Sequence, residues 1–415
     1  MMNRILYIAS FLLFLISCIK DYDVPVPSNG SDSIMDQTHP LETASKLLME
    51  GIYKVTSVSG RFGDYMVLKW NRTSLSFACN NGIYFIMDAG QLDSLVYLEG
   101  YWRDGYGDPT GLCNMSISAS EGGSMVISGK VTQDIIIIGN FGEGNDLPDK
   151  GLTLEFLRPF SDKVKNMKFN ILGHRGGGRT SDHLPVSENS IEMINFTEKL
   201  GSTGIEVDVR LTNDSVAFLY HDNDINTRLT KKGPLAGPVS KYSWFQLLSF
   251  VRLIHGEKIP TLEDALNFVI DSTQLTLVYL DIKESKSAMP VFIPIQQRIL
   301  KRAKDRGRDL TVVIGIPSAT VMDDFMSYPR YQDVPSLCEL TVEDVRKINS
   351  RVWAPRWTLG TQNELVQQMH NEGRVVICWT IDNPAWIEDY LYNGLFDGLL
   401  TNFPFVVSHY HYIQQ

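Results

Sequence analysis

The chain has 415 residues, 43% of them hydrophobic and 21% charged, which is enough apolar material for two or three domains with proper cores. Its 48 acidic residues outnumber 38 basic ones, giving a formal net charge of -10. That balance excludes the basic footprint with which proteins recruit nucleic acid, and anionic lipid headgroups repel it weakly.

Met1-Met2-Asn3-Arg4 is a short positive start, followed by the apolar run ILYIASFLLFLIS. A run of roughly a dozen residues is too short for a comfortable membrane span of about 20. Residues 1–17 therefore read as a signal peptide. The run ends in Leu15-Ile16-Ser17-Cys18, which resembles the lipobox of bacterial lipoproteins. The resemblance implies cleavage before Cys18 and acylation there; an uncleaved signal anchor is the alternative. The expected location is the cell envelope, with acyl chains holding the protein at a membrane. Residues 18–46 read as a tether, rich in Pro, Gly and Ser between Val24 and Ser33. Lys20-Asp21-Tyr22-Asp23 resembles the surface-export signal of some Bacteroidetes lipoproteins, which leaves the periplasmic face and the outer-membrane surface both open.

Residues 47–158 form short strands divided by turn signals: YMVLKW, LSFAC, GIYFIMDA, SLVYLEGYW, CNMSISAS, SMVISG, DIIIIGNF and LTLEFL. Asn80-Asn81-Gly82 and Glu121-Gly122-Gly123-Ser124 mark hairpin turns. The expectation is an all-β sandwich or barrel, an accessory domain without catalytic spacing. Tyr101, Trp102 and Tyr106 suit either a platform for a glycan or ordinary packing. Cys79, Cys113, Cys338 and Cys378 lack CxxC spacing, which disfavours zinc. Cys79 and Cys113 are candidates for a disulfide in an oxidising envelope, and buried thiols are the alternative.

Residues 159–170 read as a linker. From 171 to 415 strands alternate with helical stretches, the pattern of one (β/α)8 TIM barrel. Candidate strands are NILGHR, GIEVDVRL, VAFLYHD, LTLVYLDIK, LTVVIGI, SLCEL, RVWAPRW, VVICWTI and GLLTN. These are nine candidates for eight places, so SLCEL or RVWAPRW is expected to fall outside the barrel. Residues 223–260 are longer than a usual βα connection and read as an inserted subdomain near the active face.

GIEVDVRL alternates apolar residues with Glu206, Asp208 and Arg210, the period of a strand. A closed parallel barrel covers both faces of each strand, so both carboxylates must be buried. Two adjacent buried carboxylates raise each other's pKa and cost several kcal/mol unless a cation joins them. A half-exposed strand with solvated charges is the bland alternative. Three further candidate strands also turn from apolar to charged: NILGHR at His174 and Arg175, VAFLYHD at His221 and Asp222, LTLVYLDIK at Asp281 and Lys283. The carboxyl edge is where barrel enzymes keep their chemistry. Three carboxylates suit a hard divalent ion, Ca2+ or Mg2+. Arg175 and Lys283 suit a phosphate, and two histidines can act as acid and base near neutral pH. Together they describe phosphodiester cleavage.

In order along the chain, Gly173-His174-Arg175-Gly176-Gly177, Glu188-Asn189-Ser190, Gly204 to Val209, His221-Asp222, Leu280-Asp281-Ile282-Lys283, Trp379-Thr380 and Asp397 to Asn402 resemble the bacterial glycerophosphodiester phosphodiesterases. The resemblance covers about residues 171 to 406. It implies a TIM barrel, a divalent metal, and hydrolysis of glycerophosphodiesters to an alcohol and glycerol 3-phosphate. It implies His174 and His221 as the acid–base pair, and Glu206 and Asp208 as metal ligands, with Asp281 in place of the family's usual glutamate. It further implies that Arg175 and Lys283 hold the phosphate and that Glu188 lies beside the metal or orients a ligand. Trp379 lines the headgroup pocket or belongs to the core. Ser187 stands where the family has proline, and the loop from Gly176 to Glu188 is longer than typical. Asp382 and Asn402 follow strands and read as substrate contacts or loop residues; His409 and His411 read as a tail. The alternatives are a phospholipase-like enzyme, a glycan-glycerophosphate phosphodiesterase, or a non-catalytic surface lipoprotein binding glycan or lipid.

Overall fold

A computed structural model describes residues 24–28, 30, 33–57, 60–130, 134–284 and 287–415. The signal segment and Cys18 lie outside the described residues. Among those described, no helix is long and apolar enough to cross a membrane.

The first domain is a closed antiparallel barrel, each strand hydrogen-bonded to the next. Its strands are β1 (Gly51–Val55), β2 (Tyr65–Asn71), β3 (Ser74–Cys79), β4 (Ile83–Leu92), β5 (Leu95–Asp104), β6 (Thr110–Ile117), β7 (Ile136–Phe141) and β8 (Lys150–Arg158). β1 and β8 pair to close it, so the barrel has no free edge. Alternation sends Met66, Leu68, Phe77, Phe85 and Trp102 inward, and Val67, Ala78, Tyr84 and Ile86 outward against the second domain.

Two details of this region differ from the sequence-based expectation, and two open alternatives are resolved. SMVISG is not a strand: Gly123–Ile127 is a short helix, entered through a capping box between Ser118 and Glu121. β1 takes the strand place instead. Residues 33–46 are not a free tether, because Ser33 bonds Glu99 at 2.6 Å, His39 pairs with Gln91, and Leu41 joins the barrel core. Tyr101, Trp102 and Tyr106 form no shared platform: Trp102 is wholly buried, Tyr101 packs on the second domain, and Tyr106 lies 4.4 Å from the Phe403 ring. Cys79 and Cys113 are separate buried thiols, as are Cys338 and Cys378.

The second domain begins at β9 (Asn170–Gly173), followed by β10 (Gly204–Leu211), β11 (Ala217–Leu219), β12 (Asp224–Ile225), β13 (Gly237–Pro238), β14 (Leu277–Ile282), β15 (Thr311–Ile316), β16 (Ser336–Cys338), β17 (Val352–Trp353), β18 (Val375–Cys378) and β19 (Gly398–Thr401). The parallel ring runs β9-β10-β14-β15-β16-β17-β18-β19 and back to β9. SLCEL and RVWAPRW both supply ring strands, as β16 and β17. The segment outside the ring is VAFLYHD. Its β11 runs antiparallel to β10, because the loop from Thr212 to Val216 is far shorter than the dozen or so residues a parallel crossover needs. The insert does form: β12 and β13 pair, the helix Trp244–Phe250 follows, and Leu229, Leu247, Val251 and Ile259 make a small core against Phe218 of β11.

The chain ends in the helix Pro404–Tyr412, which is buried nearly all round. Phe405 lies 4.8 Å from Tyr84, and His409 Nδ1 bonds the Ala78 carbonyl at 2.9 Å. His409 and His411 are thus interface residues rather than a tail.

Candidate active site

Side chains on the ring strands alternate between the helices and the barrel interior. Inward positions at the lower level are apolar: Leu172, Leu277, Val313, Leu337, Ile377 and Leu400. One or two steps nearer the carboxyl end the same faces carry His174, Asp281, Glu339, Trp379 and Asn402. Gly315 makes room for the Tyr279 ring, since a Cβ there would come within 2.2 Å of it. The result is a cavity of about 550 Å³ over an apolar floor, lined by His174, Glu206, His221, Asp281, Lys283 and Trp379 among others.

Glu206, Asp208 and Asp281 converge, each offering an oxygen within 4.8 Å of the others. Glu206 and Asp208 are almost wholly buried. Glu206 Oε2 accepts the Arg175 backbone N–H at 2.7 Å. For this, Arg175 takes a left-handed backbone (φ 52°), strain a non-glycine residue bears at a functional turn. Glu206 Oε1 and Asp281 Oδ1 are buried without any hydrogen-bond partner among the described residues. Burial, then repulsion from Asp208 and Asp281, pushes the Glu206 carboxyl well above its usual range. Burial likewise raises Asp281 against the pull of Lys283. Burial opposes ionisation of Asp208 too, but Lys283, His221 and Arg175 hold it down. Lys283 Nζ lies 2.9 Å from Asp208 Oδ1 and bonds Asp281 Oδ2. A trio of buried oxygens with spare lone pairs fits a hard divalent cation, and these three residues could hold one.

The two histidines are anchored differently. His174 Nδ1 bonds Asn402 Oδ1 at 2.7 Å, and the Asn402 amide gives its own N–H to Asp382 Oδ2 at 2.7 Å. That chain makes Nδ1 the protonated nitrogen of His174 and frees Nε2, which lies 3.8 Å from Glu206 Oε2. Burial and the Arg175 guanidinium lower the His174 pKa to about 4. His221 Nδ1 instead meets Asp222 Oδ1 at 2.7 Å. Burial resists the charge on Asp222, yet bonds from Arg228, His221 and Asn226 hold its carboxyl far below the usual range. His221 does not stand on a ring strand. It follows β11 and is brought back over β10 by the Tyr220 N–H bond to the Asp208 carbonyl at 3.0 Å.

Glu188 is 2% exposed and takes no place in the acidic trio. It accepts Arg175 Nη1 at 2.9 Å and the Thr180 N–H at 2.7 Å, so it orients the guanidinium. Its neighbour Asn189 touches the trio: Nδ2 donates to Asp208 Oδ2 at 2.6 Å and Oδ1 accepts the Asp208 N–H at 3.0 Å. Ser187, in the family's proline position, binds Glu257 through N–H and hydroxyl and so ties the end of the insert to this loop. Trp379 is fixed by its indole N–H on the Ala354 carbonyl at 2.7 Å, with the Arg356 guanidinium 5.0 Å from its ring centroid. Asn189, Arg228 and Glu339 went unassigned in the sequence reading. The Ser-Glu-Asn-Ser run held the signal for the first; nothing local marked the others.

The sequence model of the glycerophosphoryl diester phosphodiesterase family matches residues 174–406, more than half of the chain. A glycerophosphodiester phosphodiesterase of Caldanaerobacter subterraneus subsp. tengcongensis is 24% identical over 247 residues, covering 57% of this chain and 96% of that protein. Among solved structures, a glycerophosphodiester phosphodiesterase from Parabacteroides distasonis is similar at a TM-score of 0.45 and 22% identity, over 57% of this chain and 93% of its own. An Oleispira antarctica phosphodiesterase, solved with its product sn-glycerol-3-phosphate, is similar at 0.45 and 19%, over 57% and 94%. The chain belongs to the glycerophosphoryl diester phosphodiesterase family and is an enzyme of that class.

Proposed function

We propose that this cavity hydrolyses glycerophosphodiesters to an alcohol and glycerol 3-phosphate, with His174 and His221 as acid and base and with Ca2+ or Mg2+ held by Glu206, Asp208 and Asp281. The observation that carries the reading is the pair of histidines, each anchored through Nδ1 and each lining one cavity with Glu206 and Asp281 of the three convergent carboxylates. A bound divalent cation would neutralise charge on the phosphoryl oxygens. In this reading Arg175 and Lys283 bind the same oxygens, and Trp379, which lines the cavity, faces the alcohol portion.

What stands behind each imidazole divides the labour. Asn402 offers His174 only an amide oxygen, which favours a neutral ring whose Nε2 takes a proton from water as its oxygen bonds to phosphorus. Asp222 offers His221 a carboxylate that orients the ring through Nδ1, and His221 gives a proton to the leaving alcohol oxygen as the P–O bond breaks. Incubation of purified protein with glycerophosphocholine, with and without EDTA, tests the reading. Release of glycerol 3-phosphate that EDTA abolishes and Ca2+ or Mg2+ restores is expected; no release with either ion would end it. The lipobox-like Leu15 to Cys18 supports an envelope lipoprotein anchored at a membrane, and metabolic labelling with a palmitate analogue, lost in Cys18→Ala, is its test.

A further inference from the structure

Buried side-chain nitrogens and oxygens without a partner gather in two places among the described residues. One is the catalytic trio with Arg175. The other is a cleft where the two domains meet, lined by Asn71 and His411, whose Nδ2 and Nδ1 lack partners. His411 is 3% exposed. The cleft holds about 450 Å³, within the rough range of 300–1,000 Å³ typical of small-molecule sites. Asn170, Thr203 and Thr276, at or just before the amino ends of β9, β10 and β14, form part of its wall. It therefore lies at the opposite end of the barrel from the catalytic mouth.

The unused capacity of this cleft is that of a donor. Asn71 Oδ1 already accepts the Ser74 hydroxyl at 3.0 Å, which leaves the amide N–H groups free. Lys69 stands two residues away on the same face of β2, its Nζ 4.8 Å from the Tyr412 ring centroid; Lys165 and Lys168 are also at the wall, with Asp162 at 3.9 Å and Asp309 at 3.2 Å as their exposed partners. Two carboxylates stand among the same lining residues: Glu50, which accepts the Trp70 N–H at 2.9 Å and also attracts Lys69, and Glu198, which accepts the Gln274 N–H at 2.5 Å and faces Arg72, so three ammonium groups meet two carboxylates. A ligand that completes these groups must bring acceptor oxygens and negative charge. The hydroxyls of Ser202, Thr203 and Thr276 at the wall are engaged with Thr197, with the Ile171 N–H and with the Thr203 carbonyl, and keep lone pairs for ligand hydroxyls.

We propose that the interdomain cleft binds a small polyhydroxylated oxyanion, a sugar phosphate or sugar carboxylate, held by Lys69 and Asn71 with His411 at its back. Both domains contribute, so this site gives the accessory barrel a ligand of its own. It is separate from the proposed catalysis and stands or falls without it.

Calorimetric titration of the purified protein with glucose 6-phosphate, glucuronate and glucose is the test, repeated on Lys69→Gln and Asn71→Asp. Saturable binding of one or both anions is expected, weakened at least about tenfold by each substitution, with hydrolysis of glycerophosphocholine within about twofold of the parent. Which anion binds tells phosphate from carboxylate. The proposal is overturned if neither anion binds, if glucose binds as well as both, or if both variants keep the parent's affinity. Should Asn71→Asp fail to fold, Lys69→Gln decides alone.

Discussion

Replacing Glu206 by Gln separates what the acidic trio does for stability from what it does for chemistry. Like charges within 4.8 Å at an effective dielectric near 20 repel by about 3 kcal/mol per pair. Glu206 faces two such neighbours and one compensating ammonium, that of Lys283. Removing its charge therefore relieves about one uncompensated repulsion, and partial protonation of the parent trims the gain to about 1–3 kcal/mol. The amide oxygen still accepts the Arg175 N–H, and the new N–H2 faces oxygens that lack donors. Without divalent ions, Glu206→Gln should melt several degrees above the parent. The pH dependence follows. Because the Glu206 carboxyl is raised in the folded protein, the folded chain binds more protons than the unfolded one from pH 4.5 up to the raised value. Metal-free stability thus falls as pH rises through that window, and the substitution flattens the fall. With Ca2+ or Mg2+ the order should invert, since the parent gains stability by binding and the variant has lost a ligand. Differential scanning calorimetry in EDTA and in each ion measures both effects. A variant that melts below the parent in EDTA, or that keeps the parent's ion-dependent rise, would refute the reasoning.

His174→Ala and His221→Ala should each lower turnover of glycerophosphocholine at least about 100-fold. With a p-nitrophenyl ester, whose leaving group needs no proton, the His221→Ala deficit should shrink while the His174→Ala deficit persists; the reverse pattern would exchange their roles. Asn402→Ala frees the His174 ring, so kcat should fall about 10-fold or more with KM changed little, as steady-state kinetics will report. Burial lowers the pKa of His409 to about 4 against the Ala78 carbonyl. The unfolded chain therefore binds the extra proton first, and stability is lost as pH falls from 6.5 towards 4. His409→Gln keeps a donor for Ala78, and its melting temperature should drop less between pH 7 and pH 5 than the parent's.

The ring and its charged rim were legible because both rest on period-two alternation, which survives whatever the helices do. The errors came where one local pattern has two structural uses. VAFLYHD has the composition of a ring strand, and only the short Thr212 to Val216 loop, too brief for a crossover, distinguishes a hairpin return. SMVISG is as apolar as a strand, but the turn Ala119–Glu121 and the left-handed Gly122 (φ 98°) lead into a helix there. Asp382 and Asn402 are marked in the sequence only as residues that follow strands, and neither their pairing nor that of Arg228 with Asp222 has a local signature.

The third charge of GIEVDVRL shows why that hairpin belongs to the chemistry. Glu206 and Asp208 point at the trio, but Arg210, next on the same face, donates from Nε and Nη2 to the His221 carbonyl at 3.2 and 2.7 Å and from Nη2 to Asn223 at 2.8 Å. One strand therefore supplies two of the three convergent carboxylates and the clamp that fixes the backbone of His221. A ring strand could carry His221 only to its own carboxyl edge. The antiparallel return lets it come back over β10 to the same cavity as His174, with Asp222 and Arg228 already paired behind it. The alternating charges of that stretch are buried because each holds a different part of the site in register with the others.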